Sequence, residues 1–338
     1  MHISMESVLE AAGITSGQDS VEVLRDGFPS YVIRVQTAAF PGQPTVIVKA
    51  CPDASREPDV LLHLHRAGLP VPAVLDIREG DGFRVVILED VGRDALHRHP
   101  DEGSYLRAAE EIARIHRRFE LPGSDAGPID ASGLADILPR YDASAWALVV
   151  RAGTAGTLRR LEDGTYQGFS QRDVEALPAT LRTLEGETLA MLGEPVRVLP
   201  LAPTLVHGDY HDGNVLIRPS QREESGQFVI VDWDSARWDS GFFDLVSLCD
   251  VADRMGTCHV DPAQIMEAYL RERCAGGSRP SRQAAETEWH RCCILRAWDE
   301  LRWFSETGED FGDRVQREIE IIQENLAGSE VGSRDNKA

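Results

Sequence analysis

The chain has 338 residues, which is long enough to bury a substantial core in one large domain or in two lobes. Its apolar and charged fractions are those of an ordinary globular protein, and its formal net charge of −21 argues against a nucleic-acid partner, which would need a basic surface for the phosphates. No apolar stretch approaches the roughly 20 residues of a membrane-spanning helix. The six cysteines show no metal-binding spacing, and no secretion signal is expected after Met1. We therefore expect a cytoplasmic protein with reduced thiols and no membrane partner.

The first third of the chain predicts strands around one helix. Turn-forming segments such as Asp26–Ser30 separate short runs that are rich in β-branched residues. Apolar residues recur at helical spacing over Arg56–Ala67, and Gly68 ends that helix. The predicted strands are Val21–Leu24, Tyr31–Val35, Val46–Lys49 and Arg84–Leu88.

From Gly92 onward the pattern is mainly helical. An apolar stripe from Tyr105 to Phe119 predicts one long helix with Asp101 as its N-cap, and His116 on that stripe is interpreted as a core histidine. Two apolar runs that flank a polar loop predict a β-hairpin. The hairpin strands are Val215–Ile217 and Phe228–Val231, and other helices are predicted near Leu134–Leu148, Val174–Leu192 and Cys292–Ser305.

This order of elements predicts an α+β fold with two lobes. Residues 1–91 would form a small antiparallel sheet with one helix, residues 92–327 a larger and mainly helical lobe, and residues 328–338 a disordered tail. Because ligands favour the boundary between two such lobes, the cleft between them is the expected site.

The most informative segment is residues 205–217, with the sequence LVHGDYHDGNVLI. Asp209 and Asn214 lie five positions apart in its polar loop, and a second apolar strand ends at Asp232. A carboxylate can accept the proton of an attacking hydroxyl, and hard oxygen ligands suit magnesium that bridges phosphates. Because the three side chains follow neighbouring short strands, we expect them to converge on one site for phosphoryl transfer.

These motifs resemble the aminoglycoside phosphotransferase family, whose relatives are choline, homoserine and methylthioribose kinases with a protein-kinase-like fold. The matching residues are HGD-x₄-N at 207–214, IVDW at 230–233 and GFFDL at 241–245. The resemblance covers the chain by motif from about Val21 to Leu248. It implies that the protein is a kinase with a two-lobed fold and that ATP and magnesium are its cofactors.

The resemblance also implies roles for residues of these motifs. Asp209 would be the catalytic base, and Asn214 and Asp232 would bind magnesium. Asp244 would support the catalytic loop. Asp234 could reach the same metal as Asp232, or it could have a plain loop role.

Upstream residues are expected on the nucleotide side of the cleft. Lys49 ends a predicted strand at the position where this fold keeps a lysine for the ATP phosphates, and Glu57 is placed to hold it as an ion pair. Asp53 or Asp59 could replace Glu57, because the spacing from the lysine is short. Ser30 is expected to contact a phosphate. The connector between the lobes would meet the adenine edge through the backbone of Glu89, Asp90 and Val91.

Two other functions compete with a kinase. His207 and Asp209 are also two-thirds of a non-haem iron site, with His259 or His290 as a third ligand, but both of these lie in helical surroundings. A kinase fold could also bind nucleotide without turnover, and the presence of all three catalytic and metal-binding residues argues against that alternative.

The acceptor is expected to be a small molecule with a hydroxyl group. Late helices help form the substrate pocket in relatives, and Asp299, Glu300 and Trp303 lie on such a helix. Acidic side chains of the segments 132–192 and 298–310 are expected to line this pocket, and they include Glu162, Asp163, Glu306, Glu309 and Asp310. The acidic balance favours a cationic acceptor such as an aminoglycoside, another antibiotic or an amino alcohol. A neutral acceptor, such as a sugar, homoserine or a methylthioribose-like metabolite, is the alternative.

Overall fold

The structure, a computed structural model, describes residues 4–14, 20–26, 30–121, 133–166, 169–193, 201–218, 227–307 and 309–334. The strands of this part of the chain are β1 (Ser20–Arg25), β2 (Tyr31–Gln36), β3 (Thr45–Pro52), β4 (Val74–Glu79), β5 (Phe83–Glu89), β6 (Thr204–Val206), β7 (Val215–Arg218), β8 (Gln227–Ile230) and β9 (Arg237–Asp239). The helices are α1 (Met5–Ala11), α2 (Glu57–Arg66), α3 (Glu102–Arg118), α4 (Ala143–Glu162), α5 (Gln171–Gly193), α6 (Phe242–Met255), α7 (Pro262–Arg273), α8 (Arg282–Thr307) and α9 (Gly312–Arg334).

The N-terminal lobe is a five-stranded antiparallel sheet with the strand order β1-β2-β3-β5-β4. On β2, Tyr31, Ile33 and Val35 alternate with more exposed residues, and they pack in a core with the buried residues of β3 and β5. Helix α2 packs against the sheet and against the turn that follows Asp232. The lobe therefore brings the end of β3 and the start of α2 towards the second lobe.

The C-terminal lobe is a helical assembly that carries two short β-pairs. Helix α8 packs against both α4 and α9, and its Trp298 is fully buried. The hairpin β7–β8 and the pair β6–β9 lie in this lobe and frame the predicted catalytic loop. Because strand pairing fixes the register of all four strands, their polar ends are held in defined positions.

The two-lobed α+β fold is confirmed, but several elements differ from the prediction. Strand β4 was not expected, because its sequence VLDIRE carries charges that mask the strand signal. The helix predicted near Leu134–Leu148 begins at Ala143, where Asp142 caps it by accepting the N–H groups of Ser144 and Ala145.

Helix α9 ends at Arg334, and residues 335–338 lie outside the described ones. Disorder of the segment 328–338 stays a prediction. Of the helices described, none is both long enough and apolar enough to cross a membrane.

Candidate active site

The loop that carries Asp209 leaves β6 and is held by its own histidine. The Nε2–H group of His207 donates to the carbonyl of Val231 at 2.8 Å, and Nδ1 accepts from the backbone N–H of Asp209 at 3.2 Å. Both ring nitrogens are engaged, so His207 positions the loop and has no nitrogen left to ligate a metal. Gly208 follows with φ of 84°, and a Cβ there would collide with the carbonyl oxygen of Ser235.

The buried carboxylate of Asp244, at the start of α6, clamps the same loop. Its Oδ2 accepts the N–H of His207 at 2.8 Å, and its Oδ1 accepts the N–H of Gly208 at 2.9 Å. Oδ2 also accepts from Nε2 of His116 at 3.1 Å, while Nδ1 of His116 accepts from the hydroxyl of Tyr269 at 3.0 Å. His116 is a core histidine, as predicted, and it also orients Asp244.

The charge of Asp244 depends on these contacts. Burial alone would raise the pKa of Asp244, but the hydrogen bonds that it accepts from His116 and from the backbone N–H of His207 hold it below its ordinary value. A carboxylate that stays ionised accepts all three hydrogen bonds at full strength. The geometry therefore agrees with the supporting role expected for Asp244.

Asp209 presents its carboxylate to the cleft. Its side chain is 48 % exposed, and Nε2 of His211 lies 3.7 Å from Oδ2. Asn214 donates from Nδ2 to the backbone carbonyl of Asp209 at 3.0 Å, which closes the loop on itself. Because a carboxylate oxygen remains accessible, Asp209 can accept a proton from a hydroxyl bound in the cleft.

Pairing of β7 with β8 brings Asp232 beside Asn214. Val215 lies opposite Ile230, and the N–H of Val231 donates to the carbonyl of Asn214 at 3.0 Å. Asp232 has φ of 68° and is the one non-glycine residue of the described chain with a positive φ. Burial alone would raise the pKa of Asp232, but the ammonium group of a nearby lysine lowers it, so the carboxylate is charged.

That lysine is Lys49 on β3, and it joins the two lobes. Its Nζ lies 2.5 Å from Oε2 of Glu57 and 2.5 Å from Oδ1 of Asp232. Burial alone would lower the pKa of Lys49, but the two carboxylates raise it above its ordinary value. Burial raises the pKa of Glu57, and the charge of Lys49 opposes that rise. Glu57 is therefore the partner of Lys49, whereas Asp59 pairs with an arginine of β5.

The oxygen ligands near Asp209 fit a magnesium ion that is shared with a nucleotide. Within the described ranges, no group of three or more His, Cys, Asp or Glu side chains could hold a metal by itself. Asn214 uses its amide nitrogen inside the loop, which leaves its oxygen as a ligand beside Asp232. Magnesium accepts such a pair when phosphates and water complete its shell. Asp234 accepts instead from the hydroxyl of Ser55 at 2.6 Å.

A cleft of about 550 Å³ opens onto Asp209. Asp299, Glu300 and Trp303 of α8 all line it, so the structure brings the predicted acceptor residues together with the predicted base. No described residue of the segment 132–192 lines it, contrary to expectation. Other acidic residues expected on this wall are also missing from it, namely Glu162, Asp163, Glu306, Glu309 and Asp310.

The two acidic side chains that α8 contributes to the cleft are already paired with arginines. Asp299 lies 2.8 Å from Arg302, while Glu300 lies 2.8 Å from Arg296 and 3.1 Å from Arg314. An amine that binds these carboxylates would have to share them with guanidinium groups that already neutralise them. Sequence reasoning missed the arginines because, on an amphipathic helix, they have the pattern of solvent-facing residues.

The structure describes the other residues that are predicted to contact the nucleotide. Their roles in binding stay predictions. Ser30 is buried at the start of β2, and its hydroxyl has no hydrogen-bond partner among the described residues; residues 27–29 of the same loop lie outside them. The carboxylates of Glu89 and Asp90 each lie 2.7 Å from an arginine, on β7 and β2 respectively. These two contacts tie the connector to β2 and β7.

Comparison with known proteins agrees with this geometry. Residues 13–290 match the family model described as the phosphotransferase enzyme family. A choline kinase from Cryptosporidium parvum is similar in structure, with a TM-score of 0.63 and 12 % identity over 96 % of this chain and 93 % of the other.

Two aminoglycoside phosphotransferases are also similar. The enzyme APH(3'')-Id from Streptomyces rimosus has a TM-score of 0.53 and 17 % identity over 88 % of this chain and 97 % of the other. A thermostable mutant of APH(4)-Ia, in ternary complex with ADP and hygromycin B, has a TM-score of 0.55 and 14 % identity over 95 % and 97 %. Because the sequence identities are this low, the similarity to these solved structures shows a shared fold. No curated protein sequence matches the chain.

Proposed function

Since the chain belongs to the phosphotransferase enzyme family and is a small-molecule kinase, we propose that it transfers the γ-phosphoryl group of ATP to a hydroxyl in the Asp209 cleft. The observation that carries the proposal is that Asp209 and Asp232 line one cleft, while Asn214 donates to the backbone carbonyl of Asp209 and Lys49 contacts Asp232. These residues come from three separate segments of the chain. This set supplies a proton acceptor, two metal ligands and a buried cation for phosphates.

In this proposal Asp209 accepts the proton of the acceptor hydroxyl as its oxygen attacks the phosphorus. His207 and Asp244 hold the loop, so the carboxylate does not have to be ordered during the reaction. Asn214 and Asp232 would hold magnesium, which when bound neutralises charge on the phosphates. Lys49 stays protonated because two carboxylates face it, and it is oriented by Glu57 for a phosphate oxygen.

The arrangement favours the kinase over both alternatives. An iron oxygenase site does not fit, because both nitrogens of His207 are engaged with the backbone and His259 is an exposed residue bonded to Asp253. A nucleotide-binding module without turnover needs no base in the acceptor cleft, whereas Asp209 lies there with an accessible carboxylate.

We infer that the acceptor is an uncharged hydroxyl compound rather than a polycation. Asp299 and Glu300 are neutralised by Arg296, Arg302 and Arg314, so the wall offers paired charges, which suit the dense hydroxyl groups of a sugar-like molecule. The similar choline kinase and aminoglycoside phosphotransferases are named for amine-bearing acceptors. The pairing of the carboxylates in this chain is the reason to expect a different preference.

The test is a magnesium-dependent ATP-consumption assay over sugars, polyols, amino alcohols and aminoglycosides. We expect turnover with a hydroxyl compound that lacks an amine, and loss of that turnover in the matched variant Asp209→Asn. Turnover that is equal in wild type and Asp209→Asn would overturn the kinase mechanism. Turnover confined to aminoglycosides would overturn the acceptor class and leave the mechanism standing.

A further inference from the structure

A second cavity of about 470 Å³ lies on the other side of α6 from the Asp209 cleft. Val246, Cys249 and Asp253 of α6 line this cavity, whereas Ser247 and Val251 of the same helix line the cleft. Helices α7, α8 and α9 supply the remaining walls. The volume falls in the range of small-molecule sites, and Asp209 is not among its lining residues, so a molecule held here would not be phosphorylated.

Most of the cavity wall is apolar. Trp289 and Ala297 of α8, Ile321 of α9 and Val260 of the loop before α7 line the cavity. Such a wall gains free energy when an apolar molecule displaces water from it. The body of a ligand that fits the cavity is therefore apolar.

One end of the cavity is polar and carries groups without partners. Glu318 is only 2 % exposed, and its Oε1 has no hydrogen-bond partner in the described part of the chain. The Nε–H groups of Arg296 and Arg317 are also buried and, among these residues, without an acceptor. A buried polar group without a hydrogen-bond partner destabilises the folded state by about 1–3 kcal/mol. A ligand that forms hydrogen bonds with these groups would remove that destabilisation.

The charges at this end are balanced. Arg296 contacts Glu300 at 2.8 Å and Asp250 at 3.4 Å, and Arg317 contacts Asp250 at 3.5 Å. Burial, together with the charges of Glu300 and Asp250, raises the pKa of Glu318 to about 8. Glu318 is therefore largely uncharged at neutral pH, and a ligand needs no net charge to match this end.

We propose that this cavity is a second binding site, for a small uncharged molecule with an apolar body and one hydroxyl group. A hydroxyl both donates and accepts, so it can pair with Oε1 of the Glu318 carboxyl group, whether or not that oxygen carries the proton, and with a guanidinium Nε–H at the same time. Arg296 lines both the cavity and the Asp209 cleft. The occupant thus contacts the same guanidinium that holds Glu300 in the cleft.

The probe pair for a test is 2-naphthol and naphthalene, which share an apolar body and differ in the hydroxyl. Titration calorimetry on the full chain should show 2-naphthol binding at least about tenfold tighter than naphthalene. In Glu318→Leu this preference should vanish, because the buried acceptor is gone. That variant removes an unpaired buried polar group, so it is expected to fold at least as well as wild type.

A second pair of variants locates the site. Val260→Trp fills the cavity from its loop and should abolish binding of both probes. Leu148→Trp places the same side chain at an exposed position of α4 and should change neither affinity. The proposal is overturned if wild type binds no 2-naphthol up to its solubility limit, if both probes bind it equally, or if Glu318→Leu keeps the preference. Undiminished binding to a folded Val260→Trp also overturns it.

Discussion

Replacement of Asp244 by asparagine tests whether its carboxylate holds the catalytic loop. Two oxygens accept three hydrogen bonds, from the backbone N–H groups of His207 and Gly208 and from Nε2 of His116. An asparagine keeps the shape but has one oxygen and one NH₂ group. In either orientation the NH₂ group faces an N–H donor, so at least one buried donor loses its acceptor.

The magnitude follows from these contacts. The best orientation keeps the two bonds at Oδ2 and loses the 2.9 Å bond to Gly208. Loss of a bond to a charged group, with weakening of the other two when the charge goes, should lower the free energy of unfolding by about 3–5 kcal/mol. Displacement of the Asp209 loop should lower kcat by about 100-fold.

Urea unfolding followed by circular dichroism measures the first quantity, and a coupled ATP-consumption assay measures the second. Asp253→Asn is the matched control, because Asp253 is an exposed residue on the same helix. A loss of less than about 1 kcal/mol in Asp244→Asn, no larger than that of the control, would refute the reasoning.

Four further outcomes are expected. Asp209→Asn should lower kcat by about 10²–10⁴-fold while calorimetry shows nearly unchanged affinity for ATP, because the base acts in the transition state. Asp232→Ala and Asn214→Ala should each raise sharply the magnesium concentration needed for nucleotide binding. Glu57→Gln should raise the KM for ATP more than it changes acceptor binding, because the lysine loses one of its two orienting charges. Burial lowers the pKa of His116, so the unfolded chain binds a proton that the folded chain does not, and stability should fall as pH drops below about 6.5, by up to ~1.4 kcal/mol per pH unit.

Each of these has a result that contradicts it. Near-wild-type turnover by Asp209→Asn removes that residue as the base. If calorimetry shows unchanged magnesium–ATP affinity in both Asp232→Ala and Asn214→Ala, these two residues are not the metal ligands. An unchanged KM for ATP in Glu57→Gln contradicts the proposed role of Lys49 in ATP binding. Stability that is flat from pH 7 to pH 5, while His116→Gln behaves in the same way, excludes the histidine as the source of any pH dependence.

The catalytic loop and the sheet could be predicted because their signals are local. Asp209 and Asn214 are five residues apart between two apolar strands, and strand pairing then fixes where Asp232 lies. The runs of β-branched residues in β2 and β3 favour strands, and both segments are strands in the structure.

The chemistry of the acceptor cleft could not be predicted in the same way. Glu300 meets Arg314 across two helices, and no local pattern reports that contact. The density of carboxylates on α8 predicted an acidic wall, whereas their neutralisation depends on tertiary packing. Glu318 is a similar case, because its place on α9 shows helical spacing but not that its side chain is buried, with Oε1 lacking a hydrogen-bond partner among the described residues.

The backbone conformation of Asp232 indicates why an aspartate, and not a glycine, is found at this turn. A left-handed φ costs an aspartate about 1 kcal/mol or more relative to glycine, although aspartate tolerates this region better than most residues. The turn would accept glycine without that strain, but glycine has no carboxylate for Lys49 or for a metal. The ion pair with Lys49 offsets part of the strain and ties the hairpin to β3 of the other lobe. Asp232 is thus explained by its carboxylate and not by the turn, which agrees with the proposed role of that carboxylate as a metal ligand at the junction of the two lobes.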